Sequence, residues 1–295
     1  MVGERNRRSS GGPLVQIYRS TAGRRIVQDW CRGVLDRHLP LADRRIVGTS
    51  LGPTHLTSVG EGPRVLLVPG TNFSAASSIG LVTALAGTHR VTVADLPGQP
   101  GLSSAERCGD DLVRRHRCWF AEVHAHLAEE PMIVVGESLG AAVVLCADPD
   151  PRIAGLVLVV PAGLVAARVD PGVLAAATGW TLRRTERWSD RLLHTMDGGA
   201  TVPDRARLIE WMTLVARHAR TSLAPVPLPA SVLTRWRSTP CRVLAGPGDR
   251  FFPAGRLVVP ARRMRDAETI RVDGTGHLLT HTAPRAVAGD CPEFA

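Results

Sequence analysis

The hydrophobic positions change their period along this chain, and each change marks an element. Between residues 14 and 38 apolar side chains recur at helical spacing (Val15, Tyr18, Ile26, Trp30, Val34, Leu35), which predicts an N-terminal helical arm. Residues 45–49 and 54–58, separated by Gly52-Pro53, read as a short antiparallel pair. An alternation follows. Segments 64–68, 90–94, 132–135 and 153–160 are strand-like and largely apolar, and stretches of helical period at 74–85, 110–127 and 138–146 separate them. Strands buried on both faces and joined by helices predict a mostly parallel, doubly wound α/β sheet. The alternation stops at Pro161-Ala162-Gly163. Residues 163–236 carry a helical pattern, and strands at 242–245 and 269–272 and a last helix near 284–288 then resume the sheet. The expected organisation is one α/β core from 14–162 and 237–295, interrupted by a helical cap at 163–236. That insertion is far longer than an ordinary loop of about 4–6 residues. Residues 1–13, polar and Gly-rich, are expected to be disordered.

Composition narrows the class. The 295 residues are 44% hydrophobic, enough for one large core. No apolar run reaches the roughly 18 residues of a membrane span. The basic N-terminus has no apolar segment behind it, so a secretory signal is not expected. Six cysteines are scattered without a C-x-x-C pair, which reads as reduced thiols in a cytoplasmic protein. The chain contains no lysine, so all 36 basic residues are arginine, and the formal charge is +9. A Schiff-base lysine, a P-loop lysine and a Ser–Lys dyad are thereby excluded. The arginines are dispersed and not interleaved with aromatic residues, which argues against nucleic acid. An acidic carrier protein is an alternative anionic partner.

The candidate chemistry centres on Gly136-Glu137-Ser138-Leu139-Gly140, which joins the apolar run Met132-Ile133-Val134-Val135 to Ala141-Ala142-Val143-Val144-Leu145. A serine on such a strand-to-helix turn presents its hydroxyl outward, while the next amide, that of Leu139, points at whatever the serine attacks. A serine hydroxyl needs a base and a group that orients the base. Arg242-Val243-Leu244-Ala245-Gly246-Pro247-Gly248-Asp249 is a strand ending in a turn that offers a carboxylate. Ile270-Arg271-Val272-Asp273-Gly274-Thr275-Gly276-His277 is a strand followed by a turn that offers an imidazole. Catalytic groups of parallel sheets gather at the carboxyl ends of strands, so Ser138, Asp249 and His277 are expected at one edge.

These stations resemble the α/β-hydrolase superfamily from about residue 45 to 287. Val68-Pro69-Gly70-Thr71-Asn72 looks like the family's oxyanion loop, and Asp95-Leu96-Pro97-Gly98-Gln99-Pro100-Gly101-Leu102-Ser103 is similar to its next Gly-rich loop. Two departures are Pro69, where the family often has histidine, and about one extra residue in the loop after Asp95. The resemblance implies Ser138 as nucleophile, His277 as base, Asp249 as the orienting acid, and the amides of Leu139 and Thr71 as the oxyanion hole. Asn72, Glu137, Trp180 and Trp211 are candidate substrate contacts, with packing of the insertion as the other reading of the tryptophans, helix capping as that of Asn72 and a structural role, pointing away from the turn, as that of Glu137. Asp273 ends the histidine's own strand and is a weaker candidate acid. His277 and His281 have the i, i+4 spacing of zinc ligands but lack a third ligand, so no metal and no organic cofactor is expected. The expected activity is hydrolysis of a small or medium apolar carboxylic ester through an acyl-serine. The alternatives are acyl transfer or thioester release, with a carrier protein among the possible acyl sources, and a catalytically silent binding fold.

Overall fold

The apolar runs become strands because β-branched side chains fit a pleated surface covered on both sides. In the computed structural model, which describes residues 15–107, 109–127, 129–222, 224–264 and 267–291, the strands are β1 (Val15–Gln16), β2 (Asp43–Val47), β3 (Thr54–Val59), β4 (Arg64–Val68), β5 (Arg90–Ala94), β6 (Glu106–Arg107), β7 (Met132–Glu137), β8 (Ile153–Val159), β9 (Cys241–Ala245) and β10 (Glu268–Arg271). Eight of them form one sheet in the order β10-β9-β8-β7-β4-β5-β3-β2. β2 and β3 pair antiparallel, as do β3 and β5, and every other pairing in this sheet is parallel. β1 and β6 make a separate antiparallel ribbon. The expected α/β sheet is present. The N-terminal stretch 1–13 lies outside the described residues, as does Cys108.

Alternation along each strand divides the interior. Val65 and Leu67 of β4 face one core, with Val91, Val93, Ile133 and Val135, while Leu66 and Val68 face the other, with Val134, Leu156 and Leu158. The first core is roofed by the arm helix Thr21–His38, whose N-cap Ser20 accepts from Gly23 N at 3.0 Å, and by the insertion. The second core is covered by helices Leu112–Ala125, Leu139–Cys146 and Ala254–Ala261.

Three segments differ from their sequence pattern. The arm expected to be helical from residue 14 opens instead with β1 and a bridge from Tyr18 to Ala219, and its helix begins only at Thr21. The stretch expected as one helix at 74–85 is a 3₁₀ turn, Ala75–Ser77, followed by helix Ile79–Ala86. The Ser77 hydroxyl accepts from Ser74 N at 2.8 Å and donates to Ser74 O at 3.0 Å, which closes the short turn on itself, and the next helix restarts after Ser78. The insertion contains helices Pro171–Arg183, Glu186–Met196 and Arg205–His218, but residues 219–222 and 224–229 form a strap without helix. Pro225, Pro227 and Pro229 lack the amide hydrogens a helix needs, which stops helical continuation there. The strap is tied to the core by Leu228 N donating to Gly163 O at 2.7 Å. The short helix Ala230–Leu233 and the 3₁₀ segment Thr234–Ser238 then return to the sheet, where Trp236 donates its indole N–H to Leu145 O at 3.1 Å.

Candidate active site

β7 ends at Glu137 and the next helix starts at Leu139, so Ser138 makes the whole turn by itself. Its φ of 47° and ψ of −110° lie where L-residues rarely go, a strain of about 1–3 kcal/mol. The surrounding backbone holds it there. Ser138 N donates to Val159 O at 2.9 Å, and Ser138 O accepts from Ala141 N and Ala162 N at 3.1 Å. The flanking glycines are needed for close approach. A Cβ at position 136 would stand 2.6 Å from Ala141 Cα, and one at position 140 would stand 1.9 Å from Val68 O.

The acid and the imidazole arrive from the two outermost parallel strands. Asp249 follows β9, and its Oδ1 accepts from Phe251 N at 2.8 Å and Phe252 N at 3.0 Å. Its Oδ2 lies 2.9 Å from His277 Nδ1. A carboxylate there makes Nδ1 the protonated nitrogen and leaves Nε2 to accept, and Nε2 sits 3.1 Å from Ser138 Oγ. The His277 turn is wedged between backbones: Gly248 N donates to Thr275 O at 2.9 Å and Leu278 N to Met196 O at 3.1 Å. A Cβ at Gly276 would stand 2.5 Å from Met196 O and from Gly198 N, so only glycine fits before the imidazole. The rings of Phe251 and Phe252 lie 5.0 and 5.5 Å from the imidazole and shield it.

Electrostatics follow from this enclosure. Burial is the largest influence on His277 and pushes its pKa down, but the Asp249 carboxylate, through charge and hydrogen bond, outweighs it with help from Glu137, so the net shift is upward. Burial likewise pushes Asp249 up, and the His277 charge, its hydrogen bond and the Phe252 and Phe251 amides bring it below its ordinary value.

Of the predicted residues, the structure brings Ser138, His277 and Asp249 into one hydrogen-bonded run at the carboxyl ends of β7, β9 and β10. Leu139 opens the helix after Ser138, and Gly70, next to Thr71, packs so closely on Ser138 that a Cβ there would stand 3.4 Å from the Ser138 Cβ. Among the described residues no protein acceptor takes the Thr71 or the Leu139 amide. Asp273 is exposed and outside the cluster. Glu137 is buried beneath the turn, where its Oε1 accepts from Thr280 Oγ1 and its Oε2 from Gly70 N at 3.4 Å. Asn72 sits at φ 65°; its amide donates to Gln99 Oε1 at 2.9 Å and its Nδ2 to Thr221 Oγ1 at 2.8 Å. Trp211 is fully buried, stacks on Trp30 at 4.9 Å, and donates Nε1 to Asn72 O at 2.8 Å. Trp180 is buried within the insertion and donates to Met212 O at 3.0 Å. These contacts make Trp211 a support for the loop after β4 and Trp180 a packing residue. Gln99, Thr221 and Thr280 were not singled out from sequence. Only Thr280 had a usable signal, its i+3 spacing from His277. Neither tryptophan borders the apolar cavity of about 140 Å³ beside Leu139, whose walls include Leu96, Val113, Ala142 and Leu228. Among the described residues, no group of three or more His, Cys, Asp or Glu side chains is arranged to hold a metal ion.

A sheet of this order with a serine strained at its central strand-to-helix turn defines a hydrolase-type α/β fold. The model of the alpha/beta hydrolase family matches residues 65–290, and the chain belongs to that family. It is similar to the Magnesium-chelatase 30 kDa subunit of Rhodobacter capsulatus, with 28% identity over 79% of this chain and 87% of that protein. Among solved structures it resembles a carboxylesterase from Bacillus subtilis, with a TM-score of 0.72 and 16% identity over 92% of this chain and 97% of that one. It also resembles the 2-hydroxy-6-oxo-6-phenylhexa-2,4-dienoate hydrolase from Rhodococcus sp. strain RHA1, with a TM-score of 0.67 and 18% identity over 86% and 99% of the two chains. At these identities the likeness to solved structures is one of fold.

Proposed function

We propose that the protein is a serine hydrolase that cleaves a small or medium carboxylic ester through an acyl-serine. The observation that carries this reading is the run from Asp249 through His277 to Ser138, with 2.9 and 3.1 Å links. In this reading Ser138 Oγ attacks the acyl carbonyl while His277 Nε2 takes its proton, and the imidazolium then passes that proton to the departing alcohol. Asp249 holds the ring in the tautomer that leaves Nε2 free and stabilises the cation formed. The tetrahedral oxygen is received by the Leu139 and Thr71 amides, each contributing about 3 kcal/mol to the transition state. Water, activated by the same imidazole, releases the acid. Membership of the alpha/beta hydrolase family and the fold shared with a carboxylesterase support the ester assignment. The free thiols of Cys31, Cys118, Cys146, Cys241 and Cys291 support a cytoplasmic setting.

The test is a panel of p-nitrophenyl esters and acyl thioesters with wild type and Ser138→Ala, alongside a fluorophosphonate probe. Turnover and labelling that both vanish in Ser138→Ala are expected. Absence of turnover on every acyl donor, with no labelling, overturns the assignment. A burst without steady turnover, relieved by an added alcohol, amine or thiol, favours acyl transfer.

A second reading is favoured by the similarity to the chelatase subunit from Rhodobacter capsulatus. In it the protein acts alongside a magnesium-chelatase assembly. Co-sedimentation with reconstituted chelatase subunits, and an effect on magnesium insertion that Ser138→Ala removes, would support it.

A further inference from the structure

The cavity beside Leu139 has a composition that the proposed reaction does not by itself explain. Its inner wall is the helix after Ser138, from Leu139 at its start through Ala142 to Cys146 at its end, so the Leu139 end of the cavity is one residue from the reacting serine. The volume of about 140 Å³ matches that of apolar cavities which hold a benzene-sized group, roughly six carbons. Leu96, Pro97, Val113 and Leu228 keep most of the lining apolar.

Besides the Cys146 thiol, four ionisable side chains line it: Glu106, Arg107, Arg115 and His116. Three of them are accounted for. Arg115 Nη2 is 3.0 Å from Asp110 Oδ1. Glu106 accepts from Gln16 Nε2 at 3.4 Å. His116 is pushed down to about 4 by burial and is neutral at pH 7. Arg107 is different. Its Nε and Nη2 donate to Gly98 O at 3.1 and 2.8 Å, and Nη2 also reaches Arg220 O at 3.2 Å. Those are carbonyls, which fix the guanidinium in place without neutralising it. Among the described residues no carboxylate lies within ion-pair range of Arg107, and its Nη1 has no acceptor. Burial opposes its charge. A half-buried guanidinium oriented by the backbone and left without a counter-charge is a receptor for a carboxylate, which it can meet along one edge.

We propose that this cavity is the acyl pocket and that Arg107 selects acyl donors of about six carbons in all, whose far end is a carboxylate. The proposal rests on the serine-hydrolase reading and names its substrate class. The scissile carbonyl lies at Ser138, the chain crosses the apolar lining, and the anionic end reaches Nη1 of Arg107.

The test compares kcat/KM for p-nitrophenyl hydrogen adipate with that for two neutral partners, p-nitrophenyl hexanoate and p-nitrophenyl methyl adipate. A preference for the acid of roughly ten- to hundred-fold is expected, the range of a charge-assisted hydrogen bond. That preference collapses toward unity in Arg107→Gln and survives in part in Arg107→Lys, which keeps a point charge but not the edge geometry. The ratio is the readout, so a general loss from loosening Gly98 and Arg220 does not mimic it. Should Arg107→Gln fail to fold, wild-type inhibition by monomethyl adipate against dimethyl adipate reads the same preference. A wild-type ratio near one, or a ratio untouched in Arg107→Gln, overturns the proposal while Ser138-dependent turnover of neutral esters leaves the hydrolase reading standing. No turnover of any ester removes both.

Discussion

Replacing Trp211 by phenylalanine isolates one hydrogen bond that joins the insertion to the loop after β4. The indole N–H donates to Asn72 O at 2.8 Å, from a ring with no exposed surface that is backed by Trp30. Asn72 is held left-handed at φ 65°, and its other ties run to Gln99 and to Thr221 on the strap. Phenylalanine keeps most of the aromatic packing and removes the donor. A buried carbonyl deprived of its partner costs about 1–3 kcal/mol. At about 2.1 cal/mol/K per residue, the unfolding entropy of this 295-residue chain makes each kcal/mol worth roughly 1.6 °C in Tm. A drop of about 2–5 °C in thermal unfolding is therefore expected. The catalytic consequence comes through Thr71, whose amide precedes Asn72. Complete loss of an oxyanion donor costs on the order of 10²–10³ in kcat, so a loosened loop should cost at least about ten-fold. KM for a p-nitrophenyl ester should change far less than kcat, because the Leu139 cavity does not include Trp211. A Trp211→Phe protein that loses the expected Tm yet keeps wild-type kcat would show that the loop holds its shape without the insertion, and the argument would be wrong.

Other outcomes follow from the same geometry. Gly140→Ala would place a methyl 1.9 Å from Val68 O, main chain that cannot rotate away, so about 1–3 kcal/mol of overpacking strain should accompany loss of esterase activity. Calorimetry and ester kinetics check both. His277 must be neutral to accept the serine proton, and its pKa is raised, so the acidic limb of kcat/KM should lie above the ordinary imidazole value of about 6.5. Asp249→Asn removes the chief cause of that rise. It should move the limb down and lower kcat on the order of 10⁴-fold. The stability the pair contributes is complete below the unfolded imidazole pKa of about 6.5 and is lost as pH climbs through the raised folded value. From the carboxylate side, it is present above about 3.9 and lost as pH falls through the depressed Asp249 value. Unfolding curves of wild type and His277→Gln across both windows should converge once the pair is uncoupled.

The parts of this architecture that were legible in the sequence are those whose cause is local. Ser138, Asp249 and His277 each follow a strand that announces itself by composition, and parallel strands deliver their ends to one edge, so their meeting required no knowledge of packing. Gly136 and Gly140 mark the turn because a Cβ at either position would strike backbone within a few residues or in the neighbouring strand. Asn72 and Trp211 had no such local signature. Each was a plausible substrate contact by residue type, and the bond that occupies both spans 139 positions in sequence. The strap was partly readable, since three prolines in five positions exclude a helix, yet the helical period of the preceding segment carried the reading past it. Arg107 shows the same limit from the opposite direction. One arginine among 36 basic residues is unremarkable in the chain, and only tertiary structure reveals that its neighbours satisfy its geometry and leave its charge uncompensated. Strand ends can therefore locate the chemistry of such an enzyme, whereas selectivity depends on which long-range partners happen to be missing. That is why the Arg107 ratio discriminates more sharply than any triad substitution: a triad variant tests what the family already requires, and the ratio tests the charge that Arg107 brings to the cavity beside Leu139.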